Sequence, residues 1–340
     1  MSLLLTPNGT LLREQWPEGL GQTVTDTATV DNPRPWQTVP VSFDDLSKWA
    51  DVEIDTTQPR SMDMGSPRTH YTLLWSPTLF AEAGHGIRRR ALIRLHGVLG
   101  GFCVSPLGNW SGSPDDAKKA VQFVTLLGHD HPAVFDPQVQ TLSAIDDLVF
   151  RSLRAPQTPV ERKCGVINLR WRVFSRVTPK SPATPLPQLL AEADKLSLRS
   201  VEGQWNVKHT LSLAMQTRDG QVRRVKDIVF AKGDFVEVAV YVDIVSFWDR
   251  KTRQRKIDIQ FAPQEIVAKL AAAQLPPVPA NTGDQPIISL GTSYHILEQE
   301  NNEGDVNMHY NPPNVPADGV PAIIPQQGQQ RRHSFSFAYV

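Results

Sequence analysis

A strict two-residue period near position 240 constrains the fold of this chain more than any other feature of the sequence. In the segment GDFVEVAVYVDIV, β-branched side chains occupy every second place, at Val236, Val238, Val240, Val242 and Ile244. Because successive side chains of a strand point to opposite faces, this spacing predicts a strand with one fully buried face. We expect the segment to be the central strand of an antiparallel sheet.

The same period recurs elsewhere and predicts a fold that is mainly β. Strands are expected at 69–75, 90–99, 165–174 and four times between 209 and 261. The last four are expected to form an antiparallel meander within 207–275, together with a short helix. In this meander a three-residue loop at 219–221 would set Met215 opposite Val225, a register that pairs apolar side chains. The predicted fold class is an antiparallel sandwich or barrel with few helices and long irregular arms at both ends.

Two further segments carry helix signals. Residues 114–127, within a β-rich region at 61–180, are expected to form a helix, because a serine can cap the start, two aspartates follow and apolar residues recur at helical spacing. A glycine at 128 would end this helix. A short helix is also expected at 187–196, in a linker that covers 181–206.

Both ends of the chain are expected to be arms. Residues 1–60 hold three tryptophans between turn-forming residues, without a sustained period, and predict an extended arm that packs on another surface. Disorder is the alternative, although three tryptophans are many for a disordered segment. Residues 276–340 are rich in proline, glutamine and asparagine, a composition that cannot bury enough surface to fold alone. The final segment, 334–340, is apolar at alternate positions and is expected to dock on a neighbouring surface or sheet edge. The arms therefore predict a homo-oligomer.

Charge and composition exclude several classes of protein. The 35 basic and 35 acidic side chains cancel, so there is no overall field to attract nucleic acid or an anionic membrane, and a polyanion site would have to be local. No apolar run is long enough to span a membrane, and the first residues do not resemble a signal peptide. Two cysteines suit a reducing compartment. We expect a soluble, intracellular, cytoplasmic protein that does not bind membranes.

The sequence shows no motif of an enzyme or a metal protein. It lacks a glycine-flanked nucleophilic serine, a phosphate-binding loop and a dinucleotide-binding glycine pattern. His129 and His131 have a spacing that could ligate zinc, but a third ligand is missing, and a loop explains them better. We therefore expect no catalytic residues, no metal and no cofactor.

The segment DRKTRQRK at 249–256 is the main candidate for function. It sets cations beside an aromatic side chain, a combination that neutralises phosphates and stacks on bases in single-stranded nucleic-acid sites. The candidate residues are Arg250, Lys251, Arg253, Arg255, Lys256 and Trp248, with Arg223 and Arg224 as an extension on the neighbouring strand pair. The alternative is a solvated hairpin tip. A valine-rich strand followed by a basic loop and a second strand resembles the first hairpin of an oligonucleotide/oligosaccharide-binding barrel.

Two functions fit these features. In the first, the protein binds nucleic acid, most readily single strands, through the basic loop. In the second, it is a structural protein such as a viral coat or capsid subunit, which assembles through its arms and would be found in the virion. The second explains the arms better, but a coat that packages nucleic acid often carries a basic terminal arm, and this chain has none.

Overall fold

The computed structural model describes residues 3–6, 8–21, 37–56, 61–63, 66–80, 89–155, 162–177, 190, 192–208, 211–217 and 221–270. The predicted C-terminal tail at 276–340 lies outside these residues. So do Trp36, residues 219–220 of the proposed loop at 219–221, and residues 181–189 and 191 of the predicted linker.

The described residues are mainly in strands, as predicted. The strands are β1 (Leu3–Leu5), β2 (Thr38–Pro40), β3 (Ala50–Ile54), β4 (Ser61–Asp63), β5 (Ser66–Trp75), β6 (Leu92–Cys103), β7 (Val121–Leu127), β8 (Val166–Arg172), β9 (Phe174–Arg176), β10 (Trp205–Val207), β11 (Ser212–Gln216), β12 (Val222–Arg224), β13 (Phe235–Asp249) and β14 (Gln254–Leu270). The α-helices in the same residues are α1 (Phe43–Trp49), α2 (Pro132–Ser152) and α3 (Glu192–Leu198). None of them has the length and apolar character needed to cross a membrane.

One ten-stranded sheet organises the fold. Its strands follow the order β12-β11-β14-β13-β6-β7-β8, and β5 pairs with β13 and carries β3 and β4. All these pairs are antiparallel except β11–β14, which is parallel. The hairpin that resembles an oligonucleotide/oligosaccharide-binding barrel is therefore present as β13–β14. Within the described residues, however, the strands form an open mixed sheet, because the terminal strands β8 and β12 do not pair with each other.

Strand β13 is the interior strand that the sequence predicts. It pairs with β14 along one edge, and with β6 and then β5 along the other. Residues 235–244 are all buried, so both faces are covered rather than the single face expected from the period. The valine row lies in the main core, while the alternate positions carry Glu237, Tyr241 and Asp243, which are also buried.

The predicted helix at 114–127 is wrong. Only its first six residues are helical, as a 3-10 helix at Pro114–Lys119, and the rest is strand β7, in which Gln122, Val124 and Leu126 are buried alternately. The apolar residues at 121–127 fit the period of a helix as well as that of a strand. The segment forms a strand because it pairs with β6 and β8. The long helix of this region is instead α2, a segment for which the sequence predicted no element. It packs its apolar stripe on the core of the sheet.

The predicted meander is also corrected. Strand β12 pairs with β11 alone, and β11 then joins the sheet beside β14, so β12 and β13 are not neighbours. Met215 pairs with Arg223 rather than Val225, so the register is shifted by two residues from the predicted one. Among the described residues of 207–270 the helical structure is one 3-10 turn, Asp227–Val229, and β14 continues to Leu270 and buries Ile266 in the core.

The described part of the N-terminal region packs on the core of its own chain. Leu4, Leu12 and Trp16 are buried in the main cluster, and the Trp16 ring meets Phe235 edge-on at 4.9 Å between centroids. Trp49, at the end of α1, packs against Trp75 of β5 at 4.3 Å. These anchors explain how a segment without a sustained period is held in place.

Candidate nucleic-acid interface

The tip of the β13–β14 hairpin is organised by Asp249. The two strands pair as far as Asp249 and Gln254, which leaves residues 250–253 as the turn. Asp249 Oδ1 accepts a hydrogen bond from the Lys251 amide at 2.9 Å, and Oδ2 accepts one from the Thr252 hydroxyl at 2.9 Å. Lys256 Nζ lies 2.7 Å from the same Oδ2. These hydrogen bonds, that of Lys256 foremost, lower the pKa of Asp249 to about 2. The turn is therefore shaped by an ionised carboxylate at neutral pH.

Three of the predicted cations stand exposed on this turn. Arg250, Lys251 and Arg253 are all exposed, and Trp248 at its base shows 51% of its surface. A half-exposed indole beside three cations is the combination that a single-stranded nucleic-acid site needs, because the bases stack on the ring and the cations meet phosphates. The structure thus brings these four predicted residues together.

Arg255 has a different role from the one predicted. Its guanidinium is half-buried and donates hydrogen bonds to Ser246 Oγ at 2.6 Å, Tyr71 Oη at 3.0 Å and the Leu153 carbonyl at 3.3 Å. A side chain with three such acceptors fixes the base of the hairpin and has little freedom to reach a phosphate. The alternation of side chains along β14 explains why Arg255 is half-buried, because it lies on the same face of the strand as Ile257 and Ile259.

Lys256 is exposed, but its charge is shared with Asp249 across the hairpin. It therefore contributes less to a phosphate site than the three cations of the turn. Its position on β14, opposite Phe247, places it on the other face of the hairpin from Trp248.

Arg223 and Arg224 do not extend the site. Both are exposed on β12, but Arg224 pairs with Ala214, which in turn pairs with Val267 near the far end of β14. At about 3.3 Å per residue, Val267 lies roughly 43 Å along the strand from Gln254 at the hairpin tip. These arginines were predicted to lie beside the basic loop because no local pattern in the sequence indicates that β11 pairs in parallel with β14.

Arg68 is a cation near the hairpin that sequence reasoning missed. It lies on β5, next to the pairing of Thr69 with Ser246, and its guanidinium is 5.8 Å from the centroid of the Phe247 ring. Its only signal in the sequence is one basic residue at the start of a predicted strand, which does not indicate a long-range neighbour.

A second group of aromatic and basic side chains is closed to nucleic acid. Trp171 and Tyr241 meet edge-on at 5.4 Å, with Lys208 4.3 Å from the first ring and Arg90 4.7 Å from the second. The two rings are only 2% and 7% exposed, so bases cannot stack on them. Each cation also has an acidic neighbour, Asp55 for Arg90 and Asp243 for Lys208. This group stabilises the sheet.

Of the two histidines with a zinc-like spacing, His131 has a structural contact. His131 precedes the first residue of α2, and its ring meets Trp16 edge-on at 5.6 Å. Across the described residues, no three histidine, cysteine or carboxylate side chains come together in a way that could hold a metal ion.

Comparison with known proteins gives little guidance. No family model matches the chain, and no curated protein matches it either. Among solved structures, the chain is similar to gp2.5, a single-stranded DNA binding protein encoded by bacteriophage T7. The alignment covers 58% of this chain and 99% of that protein, with 10% sequence identity and a TM-score of 0.30. At that TM-score the likeness supports no conclusion about this chain.

Proposed function

We propose that this protein binds single-stranded nucleic acid, without catalysis, through the tip of the β13–β14 hairpin. The observation that carries the proposal is the half-exposed Trp248 beside Arg250, Lys251 and Arg253, on a turn held by Asp249. Stacking on an indole requires a base face that is not already stacked on a neighbouring base, which favours single strands over duplexes.

The test is the binding of a labelled oligothymidylate, followed by fluorescence anisotropy over a series of salt concentrations. In the variant R250Q/K251Q/R253Q, the slope of log K against log salt should fall by about 2, because each phosphate contact on a single strand contributes about 0.7. Trp248→Ala should weaken binding by about 1–3 kcal/mol, the usual value of one stacked base, while leaving the salt slope unchanged.

The matched control is R223Q/R224Q/K226Q. It removes the same charge from three exposed side chains around β12, at the far end of the hairpin. We expect it to bind as the unchanged protein does. Equal losses in both triple variants, or no loss in the hairpin variant, would contradict the proposed site.

The assembly hypothesis stays a prediction, since the segment on which it mainly depends lies beyond the described residues. Light scattering of the same protein samples would detect large closed particles, and a single mass independent of concentration would count against assembly.

A further inference from the structure

We propose that Arg154, in the turn that ends α2, is a second phosphate contact, so that the nucleic-acid strand lies in the corner between this turn and the β13–β14 hairpin. This inference rests on the proposed function and adds a second contact surface to that site. It comes from three observations: a physical link between the two segments, an unusual backbone position shared by two arginines, and their exposure.

The link is the guanidinium of Arg255. Its Nη1 donates to the carbonyl of Leu153, the residue before Arg154, at 3.3 Å, while its Nε is held by Ser246 at 2.6 Å. Trp248 is the cross-strand partner of Arg255, and alternation places it on the same face of β13 as Ser246. The exposed indole therefore stands on the side of the hairpin that faces the end of α2.

The backbone of the α2 terminus has the geometry of a Schellman motif. The amide of Arg154 donates to Arg151 O at 3.1 Å, and the amide of Ala155 donates to Phe150 O at 3.1 Å. Arg154 itself has a φ of 50°, at the position of this motif that is usually glycine because a Cβ atom is unfavourable there.

Arg253, on the hairpin turn, has the same kind of strained backbone. Its φ is 51°, and the only other non-glycine residue with positive φ in the described ranges is His129. Two of the three strained positions are thus arginines, and they lie on the two segments that Arg255 joins. Non-glycine residues held at a positive φ, where glycine would be more stable, cluster at functional sites.

Both arginines are exposed, and within the described residues neither is engaged in an ion pair. An arginine at a helix C-terminus also interacts favourably with the helix dipole, which is the structural alternative for Arg154. That alternative predicts an effect on stability alone. The last turn of α2 already has Arg151 for this purpose, with its guanidinium 4.2 Å from the Phe43 ring.

The experiment compares Arg154→Gly, Arg154→Gln and the control Arg223→Gln, an exposed arginine on β12. Each full-length variant is measured for thermal unfolding and for binding of the labelled oligothymidylate over the salt series. Arg154→Gly should raise the melting temperature, because glycine fits the positive φ, and yet weaken binding about tenfold at low salt. Both Arg154 variants should lower the salt slope by about 0.7, and Arg223→Gln should not.

The failure of this inference is distinguishable from the failure of the proposed function. If the Arg154 variants bind as the unchanged protein does, while R250Q/K251Q/R253Q loses binding, Arg154 is only structural and the hairpin site stands. If Arg223→Gln weakens binding as much as the Arg154 variants, the effect is one of overall charge and the inference fails. If the unchanged protein binds no single strand, the proposed function itself fails.

Discussion

Replacing Glu237 with glutamine should destabilise the protein more than most single substitutions. The carboxylate is only 6% exposed and lies 3.2 Å from Arg94 Nη1, 2.9 Å from Lys269 Nζ and 3.1 Å from His96 Nε2. Glutamine keeps the shape but removes the negative charge, which leaves the buried Lys269 and the half-buried Arg94 with a neutral partner. Breaking a buried ion pair in this way costs about 3–5 kcal/mol. A typical domain has a free energy of unfolding of about 5–15 kcal/mol, so the loss takes a large share of it.

The assay is urea denaturation followed by circular dichroism, with a double variant as the control. Glu237→Met together with Lys269→Met removes both charges of the closest pair, and apolar replacement of a whole pair is often nearly neutral. We therefore expect the double variant to lose less stability than Glu237→Gln alone. A loss under about 1 kcal/mol for Glu237→Gln would refute this interpretation of the cluster. So would a double variant whose loss of stability equals the sum of the losses of Glu237→Met and Lys269→Met measured singly.

The same cluster makes the stability of the protein depend on pH. Burial on its own would raise the pKa of Glu237, but the hydrogen bond with His96 and the charges of His96, Lys269 and Arg94 lower the pKa below its usual value. Burial lowers the pKa of His96, so its ring is uncharged at neutral pH, where Lys269 and Arg94 supply the positive charge beside Glu237. A carboxyl group whose pKa is lowered by folding stabilises the protein fully at a pH above its unfolded pKa of about 4.3. This stabilisation is lost as the pH falls through the pKa of the folded state. Glu237→Gln should lack this acid-induced loss.

The remaining predictions concern two other charged side chains. Arg255→Met should cost about 1.5–3 kcal/mol in urea denaturation, because the hydrogen bonds at the base of the hairpin are lost, whereas Arg253→Gln should cost almost nothing; equal losses would contradict the anchoring role. Burial raises the pKa of Asp146 to about 6, despite the opposing charge of Arg162, so this group should reduce stability by roughly 2–3 kcal/mol as the pH rises from about 4 to about 6. Asp146→Asn should abolish that decline, and a variant that keeps it would refute the assignment.

Period-two patterns predicted the strands well where burial follows alternation. Strand β13 was correctly predicted as an interior strand from its valine row, and the alternation of Ile167, Leu169 and Trp171 correctly predicted β8. The failures have physical causes. The apolar residues of 121–127 satisfy both periods, and only the neighbouring strands decide between them. Helix α2 was not predicted, and it contains Pro137, a residue that usually breaks a helix, although the helix runs without interruption from Pro132 to Ser152.

The candidate site was predicted in part for similar reasons. A run of cations next to Trp248 is visible in the sequence, and the structure exposes most of it. Local patterns could not distinguish Arg255 from its neighbours, although its place in the alternation with Ile257 and Ile259 was an available signal. The separation of Arg224 from the hairpin, and the approach of the α2 terminus, depend on long-range pairing that a single sequence does not encode in any local pattern.

Photo-crosslinking tests the central claim most directly. A single strand that carries 5-iodouracil is irradiated in complex with the full-length protein, and the attachment site is mapped by mass spectrometry. The account predicts attachment at Trp248, which disappears when R250Q/K251Q/R253Q replaces the unchanged protein. Attachment confined to other segments, or attachment at Trp248 that persists in the triple variant, would contradict it.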